Sequence, residues 1–202
     1  MLYSKLGKLM LIKSLATLLL LLSLTSPIFA GQSPLETTKA FVASMKSVKT
    51  DGVSSYPKID AFINFDHLTT ETIRPHLKSF NETQVNTFKP LLQQLIRLVA
   101  YPQSGDFYSD SKYTYRKPTV DGDKAYVVMD VIFEKEDLEI ELGYFWQKKD
   151  DNWLLTDLSF DEDSLVKDYQ NQFGRIISKE SVDSLNQKLQ NKLTEIEKEN
   201  KK

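Results

Sequence analysis

Leu138-Glu139-Ile140-Glu141-Leu142-Gly143-Tyr144-Phe145-Trp146-Gln147 alternates without a break. Leu138, Ile140, Leu142, Tyr144 and Trp146 share one side, and Glu139, Glu141, Gly143, Phe145 and Gln147 share the other. A period of two marks a strand with one buried face. Three further segments read as strands: Lys112 to Lys117, Ala125 to Phe133 and Trp153 to Phe160. The turns between them carry Asp121-Gly122, Lys135-Glu136-Asp137 and Lys149-Asp150-Asp151-Asn152. Connections this short join antiparallel neighbours, so the expectation is a four-stranded meander. Its second strand is apolar on both sides: Ala125, Val127, Met129, Val131 and Phe133 on one, Tyr126, Val128 and Ile132 around Asp130 on the other. A sheet solvated on one face would leave that second side polar. Helices over both faces, a dimer contact or an apolar cavity would each explain the pattern.

Helical periodicity flanks the meander. Ser33-Pro34-Leu35-Glu36 reads as a capping box with Pro at the first helical position, ahead of Leu35, Thr38, Phe41, Val42, Met45 and Val48. A looser segment is expected from Thr50 to Ser55, then a helix from Phe65 to Leu77 that Pro75 bends or ends. Asn81-Glu82-Thr83-Gln84 opens a second capping box, followed by the stripe Val85, Phe88, Leu92, Leu95, Ile96 and Val99, with a kink expected at Pro90. Asn81-Glu82-Thr83 also fits the short glycosylation pattern, but capping accounts for it. After the strands, Ser164 to about Ser178 and Ser181 onward are helical, and the tail from Glu195 is mostly charged. Helices, an antiparallel sheet and helices again make an α+β fold.

The first thirty residues read as a secretory leader. Lys5, Lys8 and Lys13 precede the apolar run Leu15 to Leu24, and Ala30 is the expected last leader residue. That run is too short for a membrane span. Residues 31–202 then form a single domain. The net charge of −2 falls to about −5 once the three leader lysines are gone, which speaks against nucleic acid. With no Cys, an exported fold has no disulfides and rests on its core. No Cys and two His also argue against zinc.

Catalytic patterns are thin. His67 and His76 share no helix face, and neither a Gly-x-Ser-x-Gly elbow nor a Gly-rich phosphate loop occurs. The acidic run Asp161-Glu162-Asp163 lacks calcium-loop spacing and reads as charge placed at a helix start. Asp157 is the one candidate general base, with no titratable partner beside it.

Trp153-Leu154-Leu155-Thr156-Asp157-Leu158, then Ser164-Leu165-Val166, Tyr169 and Phe173, resembles the C-terminal signature of the MlaC family of periplasmic phospholipid-binding proteins, also called toluene-tolerance proteins. Ser33-Pro34, Asn81-Glu82-Thr83-Gln84 and Tyr144 ahead of Trp153 are similar too. Two positions depart: Glu162 stands where the family usually has Gly, and Gln170 where it usually has Arg. Glu tolerates positive backbone angles poorly, so an altered turn is expected at Glu162. The loss of a fixed charge at Gln170 puts any partner contact there in doubt.

The resemblance implies a curved four-stranded sheet wrapped by helices, a cone like that of nuclear transport factors. It also implies a dry cavity for the acyl chains of a phospholipid. It implies carriage between an outer-membrane lipoprotein complex and an inner-membrane ABC transporter, in service of outer-membrane lipid asymmetry, with no cofactor. Expected cavity residues are Leu92, Ile96, Val99, Val127, Met129, Val131, Leu142, Tyr144, Trp146, Tyr169 and Phe173; each would serve equally as ordinary core. Trp153 and Asp157 are expected to be structural. An isomerase-like enzyme on the same cone and a non-catalytic interaction module are the alternatives.

Overall fold

The computed structural model describes residues 31–134 and 137–199. The expected leader, the turn residues Lys135-Glu136 and the final Lys201-Lys202 lie outside the described residues.

Helix α1 (Pro34–Lys46) starts as its sequence demands: Ser33 Oγ accepts the Glu36 N–H at 3.3 Å, and the Glu36 carboxylate accepts the Ser33 N–H at 2.9 Å. The segment expected to be loose is instead wound into α2 (Val48–Asp51), a 3₁₀ turn (Gly52–Ser55) and α3 (Tyr56–Asp60). These pieces are too short to show a period, but burial of Val48 and Ile59 holds them down. Helix α4 (Phe65–Ile73) stops just short of Pro75, and Arg74–Ser79 continues as a 3₁₀ turn.

Helix α5 (Glu82–Leu95) has the reciprocal cap of Asn81 and Gln84, and its helical hydrogen bonding runs on past Pro90. A π turn (Ile96–Ala100) follows it, in which the Tyr101 N–H reaches back five residues to Ile96 O. Helix α6 (Tyr101–Asp110), which the sequence did not announce, follows at once with Pro102 in its first turn. In a regular turn that proline ring would crowd the carbonyl four residues back, and the widened turn stands just ahead of it.

The sheet has six strands, not the expected four: β1 (Lys112–Tyr115), β2 (Thr119–Asp121), β3 (Lys124–Phe133), β4 (Leu138–Lys149), β5 (Asn152–Phe160) and β6 (Asp163–Ser164). Order is β1-β3-β4-β5-β6, with β2 also on β3, every pair antiparallel. The two additions are three and two residues long, below what alternation can register. Helices α7 (Leu165–Lys179) and α8 (Val182–Glu199) complete the α+β chain.

Two cores result. On the sheet's inner face Val127, Met129, Val131, Leu142, Tyr144 and Trp146 are all but fully buried. The Phe41 ring of α1 meets Tyr144 and Trp146 edge-on, at 6.2 and 6.0 Å. The second core is helical: Ile73, Phe88, Leu91, Leu92, Phe173, Leu185, Leu189 and Leu193 from α4, α5, α7 and α8.

The outer side of β3 stays partly open. Ile132 is 41 % exposed, Arg116 bridges Asp130 and Glu141, and Tyr126 tilts over Phe145 with centroids 4.6 Å apart. Gly143 is required beneath that ring, because a Cβ there would sit 2.5 Å from the Tyr126 hydroxyl oxygen and 2.3 Å from Ser159 Oγ.

Candidate functional site

Between the two cores lies a cavity of ≈ 80 Å³. One wall comes from the long helix (Ile96, Ala100, Tyr101 and Ser104), another from β5 and α7 (Leu155, Leu158, Leu165, Val166 and Tyr169), and Phe41, Met45, Ile63 and Leu68 close the rest. A bulge in β5 makes this lining possible. Phe145 pairs with Asp157 but Trp146 with Leu155, so Thr156 is the extra residue and its hydroxyl donates to Phe145 O at 3.1 Å. Strict alternation would send Leu155 and Leu158 to opposite faces; one inserted residue turns both inward.

Two of the polar groups at the lining, Asp157 and Tyr101, are engaged. Asp157 Oδ1 accepts the N–H groups of Leu158 (2.8 Å) and Val166 (3.0 Å), and Oδ2 accepts the Ser164 hydroxyl at 2.5 Å. Ser164 Oγ in turn accepts the Lys167 N–H at 3.1 Å, so the carboxylate ties the end of β5 to the start of α7. With bonds on both oxygens, the carboxylate clamps these two elements together. The Tyr101 hydroxyl donates to Asp60 at 2.7 Å, and burial, reinforced by that bond, pushes its pKa up. Burial raises the Tyr169 hydroxyl as well.

Of the residues expected to line a cavity, Ile96 and Tyr169 do so here. Val99 is half-buried on the π turn, and Leu92 and Phe173 belong to the helical core. Val127, Met129, Val131, Leu142 and Tyr144 are packed in the sheet core, where the Tyr144 hydroxyl meets that of Tyr108 at 2.9 Å. Trp146 is 1 % exposed and borders a second, wider depression of ≈ 530 Å³ that also touches His67, Glu71, Lys124, Tyr126 and Phe145. Lining residues that sequence reasoning did not pick out include Met45, Leu68, Leu155, Leu158, Leu165 and Val166. The last four were in view as a motif, but their shared direction depends on the bulge.

The two departures take definite forms. Glu162 adopts φ 72° beside Asp161 at φ 48°, so the β5–β6 turn keeps a left-handed form without glycine. The expectation of an altered turn fails because β6 pairing and the Asp161 bond to the Glu141 N–H (2.9 Å) hold the strained angle in place. Gln170 donates to Glu71 O at 2.8 Å, joining α7 to α4 within the chain.

As chemistry, the site offers apolar surface and little else. Among the described residues no group of three or more His, Asp or Glu is placed to hold a metal ion. No described helix is long and apolar enough to cross a membrane.

Comparison with known proteins gives matches among family models and among solved structures. A family model described as MlaC protein matches residues 42–191. No curated protein matches the chain. Among solved structures, the phospholipid-binding protein from Ralstonia solanacearum, in complex with a phospholipid, is similar with a TM-score of 0.65. That likeness covers 83 % of this chain and 98 % of the other at 16 % identity, which speaks to the fold.

Proposed function

The chain belongs to the MlaC family, and from that premise we propose that it is a periplasmic phospholipid carrier, exported by a cleaved leader, that holds acyl chains between its sheet and its long helix. The observation that carries this reading is the apolar cavity at the meeting of the two cores. The structurally similar Ralstonia protein, described as holding a phospholipid, supports it.

The energetics favour a closed pocket. Each buried methylene gains roughly 0.8 kcal/mol, so a fourteen-carbon tail resists leaving a bilayer by about 11 kcal/mol unless an apolar interior replaces it. A protein interior can do so with no covalent step. A cavity of ≈ 80 Å³ is smaller than the roughly 150 Å³ that accepts one benzene, so the walls have to part for a tail to enter. The curved sheet and its wrapping helices would then act as a cone that opens along one wall. Delivery between an outer-membrane lipoprotein complex and an inner-membrane ABC transporter belongs to the same proposal.

Organic extraction of protein purified from the periplasm, followed by lipid mass spectrometry, tests it. Close to one phospholipid per protein is expected. Protein that stays lipid-free, even after incubation with phospholipid vesicles, would overturn the reading.

A further inference from the structure

If an acyl chain enters this cavity, one wall has to move, and the walls are unequally tied. Phe41 on α1 is locked among the rings of Phe62, Tyr144 and Trp146, β5 is paired along its length to β4, and α7 is clamped by Asp157. The π turn differs. Leu95, Ile96, Leu98, Val99 and Ala100 are all only half-buried, and a turn with one residue too many is a natural place for a helix to change register.

The Asp60 carboxylate is bonded to that turn and to the residue after it. Asp60 ends α3, just before a segment bonded to the sheet: the Leu155 N–H donates to Phe62 O at 2.7 Å, and the Asn64 N–H donates to Leu155 O at 3.0 Å. Arg97 reaches Asp60 with Nη2 on Oδ2 at 2.6 Å and Nε on Oδ1 at 3.1 Å, and the Tyr101 hydroxyl adds a bond to Oδ1 at 2.7 Å. The Tyr101 ring stands edge-on to Tyr56 at 5.1 Å, and the Arg97 guanidinium lies 5.5 Å from the Phe65 ring centroid. Two residues of the movable wall therefore grip one acceptor on the fixed side, and a two-pronged, charge-assisted grip holds geometry well.

We propose that Asp60, Arg97 and Tyr101 form a fastening that holds the π turn against the sheet-anchored segment in the empty protein, and that its release opens the cavity to an acyl chain. This rests on reading the cavity as an acyl-chain site.

The test compares the mature protein with Asp60→Asn and Tyr101→Phe. One readout is uptake of a fluorescent-tailed phosphatidylethanolamine from phosphatidylethanolamine–phosphatidylglycerol vesicles; the other is amide hydrogen exchange over residues 96–104. Exchange in that stretch, and the uptake rate, should both rise about tenfold, the factor that one charge-assisted hydrogen bond carries. Tyr101→Phe keeps the buried ring, so it serves alone if Asp60→Asn fails to fold. Normal uptake by the unaltered protein, with neither readout changed in the variants, would overturn the fastening alone. Faster exchange with unchanged uptake would overturn its part in lipid entry. If the unaltered protein takes up no labelled lipid, the acyl-chain reading itself falls, whatever exchange shows.

Discussion

Single residues decide several features that patterning leaves open. Glu162 occupies a left-handed angle that glycine takes without penalty. Glu162→Gly should therefore stabilise the protein by about 1 kcal/mol, read as a higher urea midpoint with an unchanged slope. Gly143 has the opposite logic, since its missing side chain leaves room for Tyr126 and Ser159. The buried tyrosines make a pH prediction. Burial pushes the Tyr108 hydroxyl up to about 12 and Tyr144 well above its ordinary 10. Both folded values lie above the unfolded one, so both contributions are whole below pH 10 and are lost at higher pH, that of Tyr108 as pH rises through about 12. Tyrosinate absorbance should thus appear in two stages, the later coinciding with unfolding; a single early titration of all tyrosines would contradict the buried pair.

At the scale of elements, capping and periodicity made the helix starts and the four long strands legible, because each rests on contacts between neighbours in sequence. Ser33, Asn81 and Ser164 all cap where expected. The short strands β2 and β6 were not legible because three and two residues are too few to show alternation, although each pairs with its neighbour in sequence. The helices between Val48 and Asp60, and α6, were not legible because their packing partners are far along the chain. Asp157 shows how elements are joined. Asp157→Ala strips the start of α7 of an acceptor shared by two N–H groups and a hydroxyl, and should cost about 2 kcal/mol in chemical denaturation. Helix α8 is bound to α5 by apolar packing and by the Asn186 amide donating to Gln84 O at 3.1 Å. Leu185→Ala, at a fully buried site in that seam, should cost roughly 2–5 kcal/mol.

At the scale of the molecule, the cavity's position between a ring-locked sheet core and a separate helical core matters most. Ile96 and Tyr169 touch both the cavity and the helical core. Filling the space without burying charge is the cleaner perturbation: Ala100→Phe should lower co-purified lipid at least tenfold while leaving the far-ultraviolet spectrum unchanged. Full lipid occupancy in that variant would place the tails elsewhere, with the sheet residues Val127, Met129 and Leu142 the next to examine. Bound lipid should also raise thermal stability by mass action, by about 2.7 kcal/mol at a hundredfold excess over the dissociation constant.

Local order along this chain, meaning the alternation in 138–147, the caps and the apolar stripes, determined an α+β fold with an antiparallel sheet, because short-range sterics and hydrogen bonding act between near neighbours. The direction of Leu155 and Leu158, the grip of Arg97 and Tyr101 on Asp60, and the sorting of apolar residues into solid core or cavity wall were decided only in three dimensions. Core and wall draw on the same side chains; only the atoms packed opposite distinguish them, and a linear pattern does not carry that information.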